Sequence, residues 1–181
     1  EYQFPLVSNE ERMRFVLKLT LQNIEKTTGG PFGAAVFERE SGQLVSVGVN
    51  VVLNQGCSAA HAEMMAIMLA QQELGTHDLG IAELPEFQLV TSGKMCAMCL
   101  GSVVWSGVRE VLASAQPEDV ENIVGFDEGP APADYDQQLE KRGISIIPSF
   151  LREEGCAVLQ RYVDLGGVVS VSYTHLTLPT T

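Results

Sequence analysis

Residues 87–115, FQLVTSGKMCAMCLGSVVWSGVREVLASA, contain two apolar, strand-like runs separated by a helical stretch. We expect strands at 87–92 and 110–115 and a helix from about Cys96 to Ser106. Two strands that are joined through a helix usually pair in parallel, and the helix then covers one face of their sheet. This stretch therefore predicts an α/β fold.

The flanking sequence continues the alternation of strands and helices. Upstream, the patterns predict a helix at roughly 9–26 with a Ser8–Glu11 capping box, a hairpin formed by AAVFERE and LVSVGVNVV, and a Met-rich helix that Ser58 can cap. Downstream, they predict helices near 117–123, 133–142 and 149–162 and a strand at 144–148. We therefore predict one domain over residues 1–169, a three-layer α/β/α sandwich with a mixed sheet of about five strands.

The last twelve residues, SVSYTHLTLPTT at 170–181, differ from the sequence before them. They carry no charged residue, and four of the final eight are Thr. They are similar to a translated adaptor or vector read-through, so we expect a non-native tail outside the fold.

Composition limits the possible functions. The chain has 11 Lys and Arg against 23 Asp and Glu, a formal net charge of −12 at pH 7, which argues against nucleic acid and anionic membranes as partners. A hydrophobic content of 45% argues against disorder. No run approaches the roughly 20 apolar residues of a membrane span, and residues 1–12 do not resemble a signal peptide, so we expect a cytoplasmic protein.

Two short motifs carry the candidate chemistry: His61-Ala62-Glu63 near the start of the Met-rich helix, and Cys96-Ala97-Met98-Cys99 where a strand meets a helix. One imidazole and two thiolates suit a tetrahedral zinc ion and leave its fourth position open, which is typical of catalytic rather than structural zinc. Zinc lowers the pKa of a bound water, and Glu63 could take up that proton and return it to a leaving group.

Each motif alone is weak. A lone CxxC is more often structural or redox-active, and a lone HxE occurs in helices by chance. On a regular helix, residues two apart point about 200° away from each other, so spacing alone does not bring His61 and Glu63 together. The combination of both motifs at successive helix starts matches the signature of zinc deaminases.

At these motifs the sequence resembles the cytidine-deaminase-fold superfamily, and within it the bacterial guanine deaminases. The resemblance extends over about 29–165 and rests on GGPFGAAVFER, SAAHAE, TSGKMCAMCLGSVVWSGVR and GFDEGP. It implies that His61, Cys96 and Cys99 bind one zinc ion per chain and that Glu63 transfers protons.

The resemblance also implies residues that bind the substrate. Asn50 is similar to an asparagine that anchors the base, and the backbone amide of Ala62 is similar to one that contacts it. Glu128 in GFDEGP aligns with a second catalytic carboxylate. A second carboxylate suits a purine, because a ring nitrogen needs a proton while Glu63 handles the water. Phe126 either stacks on the purine or packs in the core.

Other residues depart from the pattern or have a plainer explanation. Lys94-Met95 stands where the family usually has Glu-Pro, and the lysine brings a positive charge that would oppose cation entry. We expect Cys57 and Cys156 to be buried small hydrophobes. Trp105 is expected in the core or at a subunit interface.

The sequence thus predicts a zinc hydrolase that deaminates a free purine base, best matched by guanine converted to xanthine and ammonia. One alternative is a deaminase of another amino-heterocycle, such as cytosine, adenine or a triazine. Another is a zinc-stabilised pseudoenzyme that serves as a dimerisation or binding module. The resemblance also implies a homodimer that can exchange C-terminal segments, while the net charge disfavours RNA editing.

Overall fold

The computed structural model describes residues 2–169. The segment 170–181, expected to be a non-native tail, lies outside the described residues, and the domain boundary at residue 169 stays a prediction. The elements follow one another as α1 (Asn9–Glu25), β1 (Gly33–Glu38), β2 (Leu44–Val49), α2 (Val52–Gln55), α3 (Ala62–Leu74), β3 (Phe87–Gly93), α4 (Ala97–Ser106), β4 (Glu110–Ala115), α5 (Pro117–Ile123), α6 (Tyr135–Glu140), β5 (Ser145–Ile147) and α7 (Arg152–Asp164).

The five strands form one mixed sheet in the order β2-β1-β3-β4-β5. Strand β1 is antiparallel to both β2 and β3, while β3, β4 and β5 run parallel to one another. Helix α4 joins β3 to β4, and helices α5 and α6 join β4 to β5, as the alternation of strands and helices predicts. The predicted mixed sheet is confirmed.

Helices cover both faces of the sheet. Successive side chains of a strand point to opposite faces. On β1, Ala34 and Val36 therefore join the apolar cluster that contains α3 and α4 residues, while Ala35 and Phe37 join the cluster beneath α1 and α7. The three-layer α/β/α sandwich is confirmed.

Strand pairing brings three chain segments to one edge of the sheet. The register places Gly33 opposite Val49 of β2 and Ala34 opposite Thr91 of β3. The beginning of β1, the end of β2 and the end of β3 therefore meet. Asn50 follows β2 and Cys96 follows β3, so the fold delivers both to the same edge.

Two predicted helix caps have different outcomes. The Ser8–Glu11 box is present, because the Glu11 amide donates to Ser8 Oγ at 3.2 Å and the Ser8 amide donates to Glu11 Oε2 at 3.0 Å. The cap at Ser58 is wrong: the short helix α2 ends at Gly56 in a left-handed conformation (φ 58°), and Ser58 lies in the turn that follows. Helix α3 starts only at Ala62, with His61 as its N-cap.

Two expectations about burial are also corrected. Cys57 is exposed and Cys156 is half-buried, so neither is a core residue. Trp105 is 85% exposed on α4, which excludes the core and leaves the subunit interface as the expected location. Among the described helices, none is long and apolar enough to cross a membrane.

Candidate active site

The two ligand motifs lie at the N-termini of neighbouring helices. His61 is the N-cap of α3 and Cys96 is the N-cap of α4, and both have extended backbone conformations (φ −72°, ψ 158° and φ −66°, ψ 172°). Cys99 lies in the first turn of α4. Within a regular helix, the side chains of His61 and Glu63 would point about 200° apart. His61 precedes the helix, so this angle does not apply to the two residues.

The three donor atoms have the geometry of a zinc site. The distances from His61 Nδ1 to Cys96 Sγ and to Cys99 Sγ are both 3.6 Å. Zinc bonds of about 2.3 Å to sulfur and about 2.1 Å to nitrogen, at the tetrahedral angle, also separate nitrogen and sulfur by about 3.6 Å. Among the described residues, this triad is the group of His, Cys, Asp or Glu side chains arranged to hold a metal ion.

The electrostatic environment favours the ligand form of Cys96. A hydrogen bond from the Cys99 side chain, opposed by burial and reinforced by His61, lowers the pKa of Cys96 to about 4. The positive end of the α4 dipole also favours a thiolate at the N-cap. Cys96 is therefore ionised at neutral pH, which is the state that binds metal.

Glu63 lies in the first turn of α3 beside the triad and is 5% exposed. Its Oε1 lies 3.3 Å from Thr91 Oγ1, whose hydrogen goes to the Gly93 carbonyl at 2.9 Å, and its Oε2 lies 3.5 Å from Cys99 Sγ. Burial raises the pKa of Glu63 above the usual carboxyl range. A buried carboxyl held next to a metal site is suited to accept and release a proton. Thr91 was not singled out from the sequence, although it belongs to the quoted run TSGKMC.

A pocket opens beside the triad at the same edge of the sheet. Six of the eight predicted site residues line it, and the other two, Ala62 and Cys99, are fully buried. The six are Asn50, His61, Glu63, Cys96, Phe126 and Glu128. The structure therefore brings the sequence-predicted set together around one cavity.

Glu128 is on the loop between α5 and α6, and its backbone is tied to the metal-site helix. The Ala97 amide donates to the Glu128 carbonyl at 3.0 Å. Burial, followed by the negative charges of Cys96 and Glu63, raises the pKa of Glu128 to about 8. The pocket thus contains a second carboxyl group whose surroundings favour the protonated form.

Three aromatic side chains line part of the pocket. Phe126 packs against Phe32 with ring centroids 5.9 Å apart and against Tyr162 at 6.4 Å, and all three line the pocket. The Tyr162 hydroxyl donates to the Val168 carbonyl at 2.8 Å, which folds residues 165–168 back toward the pocket. Phe126 therefore both packs on neighbouring rings and presents a surface to the cavity.

Lys94 has a counter-charge that the sequence did not reveal. Its Nζ lies 2.7 Å from Asp136 Oδ1 on α6 and 4.5 Å from the centroid of the Tyr135 ring. The Tyr135 hydroxyl donates to the Met95 carbonyl at 3.1 Å. The lysine charge is therefore paired beside the site, and α6 is fastened to the segment that leads into Cys96.

Comparison with known proteins agrees with this geometry. Residues 7–115 match the family described as the cytidine and deoxycytidylate deaminase zinc-binding region. The chain belongs to this family.

Known guanine deaminases are similar in sequence to this protein over most of its length. Guanine deaminase of Bacillus subtilis (strain 168) is 29% identical over 147 residues, which are 81% of this chain and 89% of that protein. A solved structure of guanine deaminase from Nitrosomonas europaea is 50% identical, covers 88% of this chain and 86% of that chain, and has a TM-score of 0.85. A second protein structure, solved in complex with 2,6-diaminopurine, is 48% identical in sequence to this chain. The match covers 93% of this chain and 88% of that chain and has a TM-score of 0.88.

Replacing one ligand of this zinc-binding deaminase should abolish tight zinc binding. His61→Ala and Cys96→Ala each leave two protein donors, which are too few for a stable tetrahedral site. Elemental analysis should find about one zinc per wild-type chain and far less in both variants. Cys57→Ala is the matched control, because Cys57 is exposed and should not affect the zinc content. A wild-type chain purified without zinc and unable to bind it would contradict the assignment.

Removing the partner charge of Lys94 should weaken zinc binding modestly. In Asp136→Asn the ammonium group loses its neighbouring anion and repels a cation more strongly, so the dissociation constant measured by chelator competition should rise by ~2- to 10-fold. Adding Lys94→Met to this variant should restore the affinity. Glu140→Gln, an exposed change on the same helix, is the control. An unchanged dissociation constant in Asp136→Asn would show that the pair has no influence on the metal.

Proposed function

We propose that this protein is a zinc-dependent hydrolase that converts free guanine and water to xanthine and ammonia. The observation that carries the proposal is one pocket that combines the His61, Cys96 and Cys99 triad with two carboxyl groups, the buried Glu63 and the half-buried Glu128. The similarity to guanine deaminases over most of the chain supports the same substrate.

Glu63 is the proton carrier between water and the leaving group. A bound zinc ion supplies the Lewis acidity that eases deprotonation of water at neutral pH. Glu63 takes one proton from the attacking water and delivers it to the 2-amino nitrogen. The water oxygen bonds to C2, the bond between C2 and the amino nitrogen breaks, and ammonia leaves. The support for this role is the burial of Glu63 and its position beside Cys99.

Glu128 serves the purine ring. Its proton passes to the ring nitrogen next to C2, where it remains in xanthine. The second proton of the water returns to Glu128 as the carbonyl forms, so the enzyme ends in its initial state. The burial that raises the pKa of Glu128 supports this role, because it favours the protonated form that can donate to a ring nitrogen.

Asn50, Phe126 and the Ala62 backbone amide hold the base. Asn50 and Phe126 line the pocket, where an amide and a ring face can bind the edge and the face of a purine. The Ala62 amide belongs to the first residue of α3, so no carbonyl of that helix accepts its hydrogen.

The second carboxyl group favours a purine over a cytosine-type substrate. A single carboxylate can serve both the water and a pyrimidine, which would make Glu128 unnecessary. A zinc-stabilised module without activity would have no use for a buried Glu63 that is not part of the ligand triad. Ammonia release from guanine, adenine, cytosine and a triazine distinguishes these possibilities, and we expect guanine to be the fastest.

Glu63→Gln should retain zinc and the fold while guanine turnover falls by at least ~10²-fold, because the amide cannot transfer the proton. Turnover is measured as ammonia release, and zinc content is measured on the same sample. Glu73→Gln, an exposed change on the same helix, should behave as wild type. Retained activity in Glu63→Gln would show that another group carries the proton.

Glu128→Gln should lower kcat on guanine by ~10²-fold or more with unchanged zinc content and melting temperature. Glu118→Gln is the control, since Glu118 is an exposed carboxylate earlier in the same region. If Glu128→Gln keeps wild-type turnover, the second-carboxylate role is wrong and the cytosine-type alternative gains support.

We also propose that the protein is a homodimer in the cytoplasm. Trp105 and Met98 are 85% and 39% exposed and lie seven residues apart, on one face of α4, which is typical of an interface. Two ligand thiols are compatible with a reducing compartment. The exchange of C-terminal segments stays a prediction, and RNA as a partner remains disfavoured by the net charge of −12.

Trp105→Glu should convert the dimer to a monomer, because a charge at the centre of an apolar interface would be desolvated without a partner. Light scattering at micromolar concentration should give twice the chain mass for wild type and the single chain mass for the variant. Val7→Glu, at a second exposed apolar residue, should stay dimeric. A monomeric wild type would contradict the proposed assembly.

A further inference from the structure

Asn23, in the last turn of α1, lies behind the pocket wall and is 3% exposed. We propose that Asn23 is a positioning residue that fixes Asn50 for base binding. This inference rests on the proposed function, in which Asn50 contacts the base.

One amide group joins three segments of the chain. Asn23 Nδ2 donates to the Gly30 carbonyl at 2.9 Å and to the Asn50 carbonyl at 3.0 Å. Gly30 leads into β1, and Asn50 directly follows β2. Both hydrogens of the amide nitrogen are thereby used. The bonds fix the pocket residues Gly30 and Asn50 relative to each other and to α1.

Two carbonyl oxygens determine the orientation of the Asn23 amide. Carbonyl oxygens only accept, so the atom that faces those of Gly30 and Asn50 is Nδ2, and Thr28 Oγ1 then donates to Oδ1 at 2.6 Å. An aspartate at this position would place a second acceptor oxygen against two carbonyl oxygens. An apolar residue would leave both carbonyls without this donor. The position therefore requires an amide.

The glycine turn brings the backbone into direct contact with Asn50. A Cβ atom at Gly29 would overlap the Asn50 carbonyl oxygen, and one at Gly30 would lie 3.1 Å from Asn50 Oδ1. Only glycine at position 29 permits this approach. Asn23 and the Gly29–Gly30 turn therefore hold Asn50 from two sides.

This arrangement determines what Asn50 offers to a ligand. Asn50 Oδ1 accepts from the Val52 amide at 3.3 Å, and within residues 2–169 no hydrogen bond is made by its Nδ2. Since Asn50 lines the pocket, Nδ2 is the donor available to an acceptor of the base, such as a carbonyl oxygen or a ring nitrogen. A shift of the Asn50 backbone would move that donor away from the base.

The test compares KM and kcat for guanine in Asn23→Asp, which preserves the side-chain shape but removes the donor. We expect KM to rise by ~10-fold or more and kcat to change by less than ~3-fold, because the lost contact serves binding rather than the chemical step. Zinc content should stay at wild-type level. Thr20→Val is the matched control: it removes a buried hydrogen bond to Val16 on the same helix and should leave KM unchanged.

A second comparison separates positioning from general destabilisation. In an Asn50→Ala background, Asn23→Asp should raise KM no further, because residues that act through one contact are not additive. A destabilising effect unrelated to Asn50 would instead add in full. If Asn23→Asp fails to fold, Thr28→Val removes the hydroxyl that donates to Asn23 Oδ1 and should raise KM in the same direction.

Three results would overturn the positioning role: unchanged KM in folded Asn23→Asp, an equal rise in KM in the Asn50→Ala background, or unchanged KM in Asn50→Ala itself. If Asn23→Asp does not fold, unchanged KM in Thr28→Val has the same meaning. Failure of the proposed function is recognised separately, because wild-type protein would then release no ammonia from guanine.

Discussion

The site depends on the antiparallel pairing of β1 with both of its neighbours. This register makes the start of β1 coincide with the ends of β2 and β3, so that three connections open at one edge of the sheet. Asn50 follows one of these ends and Cys96 another, while α3 brings His61 to the same edge. A parallel arrangement of β1 would place its glycine turn at the opposite edge and separate it from Asn50.

Two helix N-termini then give this edge its chemical character. The positive ends of the α3 and α4 dipoles both point toward the ligands. A positive helix end favours the thiolate form of a cysteine ligand. Burial acts in the opposite direction on the two carboxyl groups, Glu63 and Glu128, and raises the pKa of each. The pocket therefore combines groups that can hold a metal with two carboxyl groups that can exchange protons, as hydrolytic deamination requires.

Much of the fold was predictable because its strands and helices have strong local patterns. The ligands were predictable because their spacing is distinctive. Where prediction failed, tertiary contacts decide the outcome. Ser58 is a good cap residue, but the glycine that ends α2 leaves it in a turn and gives the cap position to His61. Asp136, which pairs with Lys94, lies 42 positions further along the sequence, on α6. Asn23 on α1 contacts the Asn50 carbonyl after β2. Neither pair of residues shows a periodic spacing in the sequence that would predict the contact.

The most direct test of the account is a zinc titration of chain that has been stripped of metal by a chelator. Guanine turnover should rise linearly with added zinc and level off at about one zinc per chain, with xanthine and ammonia formed in equal amounts. Full turnover without zinc, or zinc-saturated protein that releases no ammonia from guanine, would contradict the account.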